Sequence, residues 1–130
     1  MKKIYIFAAV LLLPGCSAFR YPGSGSSNAS AIDESFSTVG TPGTQDHRST
    51  SLIAVDGREA PVLPRTYYLK PGKHRLRVSC SEEGPRASLY AAYTLHVDLK
   101  SRHTYVLSFA LQSLGNGQKT CAVDLLDTAG

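Results

Sequence analysis

Apolar side chains alternate with polar ones through much of the second half of the chain, and this period of two restricts the fold more than any other feature. In the clearest stripe, Leu76, Val78 and Cys80 alternate with basic and small polar residues. Three further stripes occupy residues 89–97, 105–111 and 121–125. Such alternation is typical of strands that bury one face. No stretch long enough for a stable helix has the spacing of an amphipathic helix.

Turn-forming residues separate these stripes. The turn signals are Asp56-Gly57, Pro71-Gly72 and Gly115-Asn116-Gly117. The segment Pro61-Val62-Leu63-Pro64 contains two prolines, which predicts a loop or an edge because proline cannot donate to a strand ladder. We therefore expect an all-β fold, a small antiparallel β-sandwich of about six strands.

The size and charge of the chain fit a single domain. The chain has 130 residues, 42% of them hydrophobic, and a formal net charge of +4. Without residues 1–15 the balance is 12 basic minus 10 acidic residues, or +2. This charge is too small and too dispersed to predict a nucleic-acid partner. No apolar run reaches the roughly 18 residues of a transmembrane helix.

The N-terminus has the features of a secretory signal. Lys2 and Lys3 form a positive region, residues 4–13 form an apolar core, and Cys16 follows a glycine. The sequence Leu13-Pro14-Gly15-Cys16 closely resembles the lipobox of bacterial lipoproteins. The resemblance implies that residues 1–15 are a removable signal peptide and that Cys16 is lipidated. An ordinary cleaved signal with an incidental cysteine is the alternative.

The residue after the cysteine bears on localisation. It is Ser17, whereas the family's sorting rules associate aspartate at this position with retention in the inner membrane. The resemblance therefore implies a lipid-anchored protein of the cell envelope, on the periplasmic side of an outer membrane.

Residues 16–50 are predicted to be the lipidated cysteine and a flexible linker. Ser, Gly, Thr, Pro and Asn are more than half of the residues from Ser17 to Thr50, and no periodicity persists. Such a segment buries too little apolar surface to offset its ordering entropy. The folded domain is then expected over residues 51–130. A segment that folds on a partner through Phe19-Arg20-Tyr21 is the alternative.

The region from Val55 to Val78 resembles the PEGA-like and transthyretin-like modules of bacterial envelope proteins. The residues that carry the resemblance are Val55-Asp56-Gly57, Leu69, Pro71, Gly72, His74, Leu76 and Val78, and the strand at Tyr105-Val106-Leu107 also fits. These residues specify turns and core positions. The resemblance therefore implies a β-module rather than a particular function.

Two cysteines remain after Cys16. Cys80 is in phase with Leu76 and Val78, and Cys121 is in phase with Val123 and Leu125, so both are expected to point into the core. Because exported proteins meet oxidising conditions, we expect a Cys80–Cys121 disulfide. Two buried free thiols are the alternative.

The sequence contains no recognisable catalytic or metal-binding constellation. The four histidines are His47, His74, His96 and His103, and no pair has the close spacing of a chelating site. His74 is predicted to be a hydrogen-bonded structural residue, whereas His96 and His103 flank a turn and could approach each other. No serine lies in a motif typical of a nucleophile. We predict no enzyme activity, no metal and no cofactor.

The remaining candidates are surface residues. Arg75 and Arg77 point outward from their strand and form the candidate interaction face, with Glu82-Glu83 as a possible rim. A solvated basic face that prevents edge pairing is the alternative. The tyrosines at positions 67, 68, 90, 93 and 105 could form a stacking platform, although aromatic residues in strands more often pack in the core.

Three functions compete on this basis, of which an enzyme is the least favoured because it would require a pocket with convergent polar groups. The first is a non-enzymatic envelope lipoprotein whose β-module contacts an envelope protein or contributes to an assembly. The second is a module that binds glycan or peptidoglycan through exposed tyrosines and arginines.

Overall fold

The computed structural model describes residues 18–23, 27–85 and 88–128, and every regular element in these ranges is a strand. The strands are β1 (Ala18–Arg20), β2 (Ser30–Asp33), β3 (Phe36–Val39), β4 (Asp46–Val55), β5 (Arg58–Glu59), β6 (Thr66–Leu69), β7 (Gly72–Glu83), β8 (Ser88–Leu99), β9 (Thr104–Gly115) and β10 (Gln118–Asp127). The expected all-β fold is confirmed. The predicted signal peptide and Cys16 lie outside the described residues.

The strands form two sheets. One has the order β1-β6-β2-β9-β10, and the other has the order β3-β4-β7-β8, with β5 also paired to β4. Pairing is antiparallel except between β1 and β6 and between β2 and β9. The inner faces of both sheets share one core, in which Leu76 and Val78 of one sheet pack with Ile32, Tyr67 and Leu107 of the other.

The long strands follow the predicted alternation, except that Leu111, at the end of the predicted stripe on β9, is exposed. On β7, Leu76, Val78 and Cys80 are buried while Arg75 and Arg77 are exposed. The odd-numbered residues from 89 to 97 on β8 also pack against the core. Cys80 of β7 and Cys121 of β10 form a disulfide that joins the two sheets, with a Cα–Cα distance of 6.1 Å. The predicted pairing is therefore confirmed.

The prediction of a flexible linker over residues 16–50 is wrong for the described part of that segment. Strands β1, β2 and β3 and half of β4 lie there, so the fold has ten strands rather than about six, and the boundary at residue 51 divides β4. Ile32 is completely buried, and Tyr21 is nearly so. β1 and β2 are short and pair with strands far along the chain, which hides them from any local pattern. β3 pairs with the adjacent β4, but it has only four residues, three of them exposed.

Three hydroxyl residues of this segment form hydrogen bonds within the fold. Ser30 donates a hydrogen bond from its hydroxyl to the Lys100 carbonyl at 2.7 Å. The Thr50 and Ser35 hydroxyls both donate to the Leu107 carbonyl, at 2.8 and 2.7 Å. These residues satisfy carbonyl groups of β9 and of the turn before it, so their polarity does not indicate solvation.

Two-residue turns occur where aspartate or asparagine precedes glycine. Asp56 and Gly57 have φ values of 50° and 85°, and Asn116 and Gly117 have values of 56° and 76°. Positive φ at both central residues is the conformation of the type I′ turn, which matches the twist of a hairpin. The first of these turns places Asp56 directly beside β7.

Candidate functional site

A row of three cations lies on the outer face of β7. Lys73, Arg75 and Arg77 occupy alternate positions, and all three are exposed. Alternate residues of a strand are about 6.6 Å apart, so the row extends over about 13 Å. Within the part of the chain that the structure describes, none of these three side chains forms a hydrogen bond or an ion pair. The row therefore presents exposed positive charge from a strand that is paired on both sides.

The neighbouring strand β8 supplies the second side of this surface. Asp98, His96 and Thr94 lie directly across from Lys73, Arg75 and Arg77 in the register of the two strands. A surface depression of about 490 Å³ opens here. It is lined by Asp56, Lys73, His74, Arg75, His96, Val97 and Asp98. Two cations and two carboxylates line the depression, so a small carboxylate or phosphate group would bind at its Lys73 and Arg75 side.

The Asp56–Gly57 turn is fastened to β7 beside the depression. One Asp56 carboxylate oxygen accepts the Arg75 N–H at 2.8 Å, and the other lies 2.6 Å from Nδ1 of His74. The second ring nitrogen of His74 donates to the Lys70 carbonyl at 2.6 Å. Both partners of the ring are acceptor groups, so the ring is held between the turn and the Lys70 backbone. The prediction that His74 is a hydrogen-bonded structural residue is confirmed.

The surroundings of Asp56 lower the pKa of its carboxyl group. Partial burial raises this pKa, but the hydrogen bonds from the Arg75 N–H and from His74, with the positive charges of both residues, outweigh the burial. Asp56 is therefore an ionised acceptor at neutral pH. It fixes the turn through the Arg75 N–H and the His74 ring, and its charge also partly offsets the charge of Arg75.

A second cavity lies at the side of the molecule. It has a volume of about 330 Å³, and its wall is formed by residues of β4, the segment 59–62, Glu34 and Tyr67. One Glu34 oxygen accepts the Leu52 N–H at 2.8 Å. Burial raises the pKa of Glu34 although this hydrogen bond, the Tyr67 hydroxyl and Arg65 act in the opposite direction. Burial also raises the pKa of the Tyr67 hydroxyl.

The predicted rim at Glu82-Glu83 is wrong for Glu82. This residue is buried, and its carboxylate lies 3.3 Å from Nε of Arg48 on β4. Glu82 is also seven residues from Arg75 on the same strand, which corresponds to about 23 Å. Glu82 therefore belongs to an internal ion pair at the other end of the sheet.

The other histidines do not come together. His47 stacks on Phe36, His96 lies opposite Arg75, and His103 pairs with Asp127 at 2.7 Å. Among the described residues, no group of three His, Cys, Asp or Glu side chains has the arrangement needed to hold a metal ion.

The tyrosines have separate structural roles. Tyr67 and Tyr105 are buried, and Tyr68 lies under the Arg20 guanidinium at 4.4 Å from the ring centre. The Tyr93 hydroxyl binds the backbone of Val123, which fastens β10 to the opposite sheet. Tyr90 is exposed. These five residues do not form one stacking platform.

Two features of the site were not predicted from the sequence. The Asp56–His74 pair was missed because Asp56 was interpreted only as a turn residue, although an acid in a turn next to a strand that carries histidine is a usable signal. The Glu34 and Tyr67 cavity was missed because residues 17–50 were assigned to a linker.

In comparisons with known proteins, no family model, no curated protein and no solved structure matched the chain. Within the described residues, there is no helix of the length and apolar character needed to cross a membrane.

Proposed function

We propose that the chain is a cell-envelope lipoprotein, anchored through Cys16, whose β-sandwich module binds an anionic surface of an envelope protein without catalysis. The observation that carries the binding role is the row of exposed cations Lys73, Arg75 and Arg77, which form no ion pair among the described residues. The leader and its lipobox-like end support the anchor and a position on the periplasmic side of an outer membrane.

The geometry of the row favours recognition. Its cations project from a twelve-residue strand that is paired on both sides, by β4 and by β8. Little conformational entropy of the backbone is lost when such a surface binds. Arginine adds planar, bidentate hydrogen bonding to carboxylates, which gives the contact direction as well as charge.

Anchoring to a membrane complements a small contact surface. A module and a partner held at the same membrane have a high effective concentration, so a contact of low intrinsic affinity is sufficient. The depression beside the row would receive one projecting acidic side chain of the partner. The same chemistry could bind a carboxylate of peptidoglycan, which is the second candidate.

The test uses the double variant Arg75→Ser/Arg77→Ser. Proteins crosslinked to the full chain in intact envelopes are recovered and compared with those of a matched double variant, Lys100→Ser/Lys119→Ser. The matched variant loses the same charge from exposed positions elsewhere on the molecule. We expect the partner to be lost only from the arginine variant. Equal recovery from both variants contradicts the assignment, and retention of the purified chain on cell wall, lost in the arginine variant, favours peptidoglycan.

A further inference from the structure

The loop between β5 and β6 exposes two apolar side chains. Val62 is 92% exposed and Leu63 is 86% exposed, higher fractions than those of the other exposed large hydrophobic residues of the described chain. They lie between Pro61 and Pro64. Exposed apolar residues are common when scattered, but two adjacent ones at the tip of a loop form a projecting apolar surface.

This loop is held from inside the protein. The Tyr67 hydroxyl donates to the Pro61 carbonyl at 2.8 Å and shares its hydrogen with the Pro64 carbonyl at 3.0 Å. Tyr67 is itself completely buried. A hydrogen bond from Ala60 N–H to the Ile53 carbonyl at 2.8 Å fixes the entry to the loop. The carbonyls of Pro61 and Pro64 therefore face inward, and the side chains of Val62 and Leu63 face outward. The backbone of the tip is thus already held before it binds.

The tip lies near the position expected for the anchor. Strands β1 and β6 are parallel, and Ala18 lies opposite Thr66. The loop enters β6 at this same end. Cys16 precedes Ala18 by two residues, which span at most about 7 Å of chain. A lipid on Cys16 would therefore emerge next to the loop rather than at the end of a long tether.

We infer that Val62 and Leu63 insert into the interface of the bilayer that holds the lipid anchor. The inference rests on the proposed lipidation of Cys16. Two exposed arginines, Arg58 and Arg65, lie on the two sides of the loop, with the exposed Glu59 beside Arg58 and the half-buried Glu34 within electrostatic reach of Arg65. Arginines beside an apolar tip bind the phosphates of the headgroups. The lipid and the loop together would fix the orientation of the module on the membrane.

The absence of tryptophan from the chain permits a direct test. Leu63→Trp places a single emitter at the tip. The control Ser101→Trp places the emitter in the exposed turn after β8. This turn lies at the Leu69 end of β6, away from the tip, because Ser30 is paired with Leu69 and donates a hydrogen bond to the Lys100 carbonyl. Each full chain is produced in bacteria, extracted from membranes in detergent and reconstituted into vesicles of zwitterionic and anionic phospholipid.

Flotation of the vesicles and quenching by brominated lipid are then measured. We expect both variants to float, and we expect brominated lipid to quench Leu63→Trp at least about two-fold more than Ser101→Trp, with a blue-shifted emission. A Leu63→Trp chain that floats but is not quenched overturns the inference and leaves the lipoprotein proposal intact. Chains that do not float contradict both. Emission that shifts only when envelope protein is added assigns the tip to a protein contact and overturns the lipid assignment.

Discussion

The surroundings of two carboxyl groups, those of Glu34 and Asp56, shift their pKa values in opposite directions. Glu34 is partly buried beside Tyr67, and burial raises its pKa. Asp56 lies in an exposed turn, and its pKa is lowered because the hydrogen bonds and positive charges of Arg75 and His74 outweigh its burial. The charge of Glu34 is therefore a cost to the folded state at neutral pH, whereas the charge of Asp56 is stabilising.

Glu34→Gln tests the first of these statements. Because the pKa of Glu34 is higher in the folded state, stability falls as the pH rises from the unfolded to the folded pKa, and the cost persists at pH 7. Glutamine keeps an acceptor for the Leu52 N–H without the charge, so urea denaturation at pH 7 is expected to show unchanged or slightly higher stability. Glu34→Leu leaves that N–H unsatisfied and is expected to lose about 1–3 kcal/mol. Equal losses in the two variants would contradict this account.

Asp56→Asn tests the second statement. Asparagine also accepts the positive φ of this turn, so the variant removes the charge and keeps the hairpin. Because the folded pKa of Asp56 is lowered, its contribution is present above the unfolded pKa of about 3.9 and is lost as the pH falls through the folded value. Unfolding free energies measured from neutral to strongly acidic pH should therefore fall more steeply below pH 4 in the native chain than in the variant. Parallel profiles would show that the charge of Asp56 has no such role.

At the scale of elements, the short N-terminal strands complete the core. β2 lies between β6 and β9 in the centre of its sheet, and Ile32 is its main apolar contribution. Without β2 the edges of β6 and β9 would have no partners, and the core side chains of both strands would be exposed. A segment that resembles a linker in composition is therefore expected to contribute to global stability.

Ile32→Ala measures that contribution. We expect a loss of about 2–5 kcal/mol, the usual cost of a large-to-small change in a packed core. The matched control is Ser37→Ala on the exposed β3, which should change stability by less than about 0.5 kcal/mol. Both values come from urea denaturation with the disulfide intact. If Ile32→Ala unfolds at the same urea concentration as the native chain, residues 30–33 are not part of the folded unit.

For the whole molecule, the strands that the sequence predicts are the long ones that pair with the next strand in sequence. Strands β7 to β10 are long, alternate clearly and form two antiparallel pairs of consecutive strands, β7 with β8 and β9 with β10. The stripes, the turns and the Cys80–Cys121 pairing could therefore be predicted. β1 and β6 pair Ala18 with Thr66, across most of the N-terminal half of the chain, and each has four residues or fewer. No local pattern indicates such a pairing.

In the candidate site, too, the features that depend on one strand could be predicted, and those that depend on tertiary pairing could not. The exposure of Arg75 and Arg77 follows from alternation within one strand, and it was predicted correctly. The burial of Glu82 depends on Arg48, which faces it only through the register of β4 against β7. The hydrogen bond that holds the Asp56 turn likewise depends on His74, which lies on β7. These contacts require the tertiary pairing, which one sequence does not show.

Lipidation of Cys16 is the central claim, because the anchor would place both the cation row and the Val62–Leu63 tip at a membrane. The most direct measurement is the intact mass of the protein extracted from membranes of bacteria that express the full chain. We predict a chain of 130 − 15 = 115 residues that begins at Cys16 and carries the added mass of acyl chains. We also predict that Cys16→Ala abolishes partitioning into a detergent phase. A membrane-extracted protein with an unmodified Cys16, or a Cys16→Ala variant that partitions as the native chain does, would contradict the central claim.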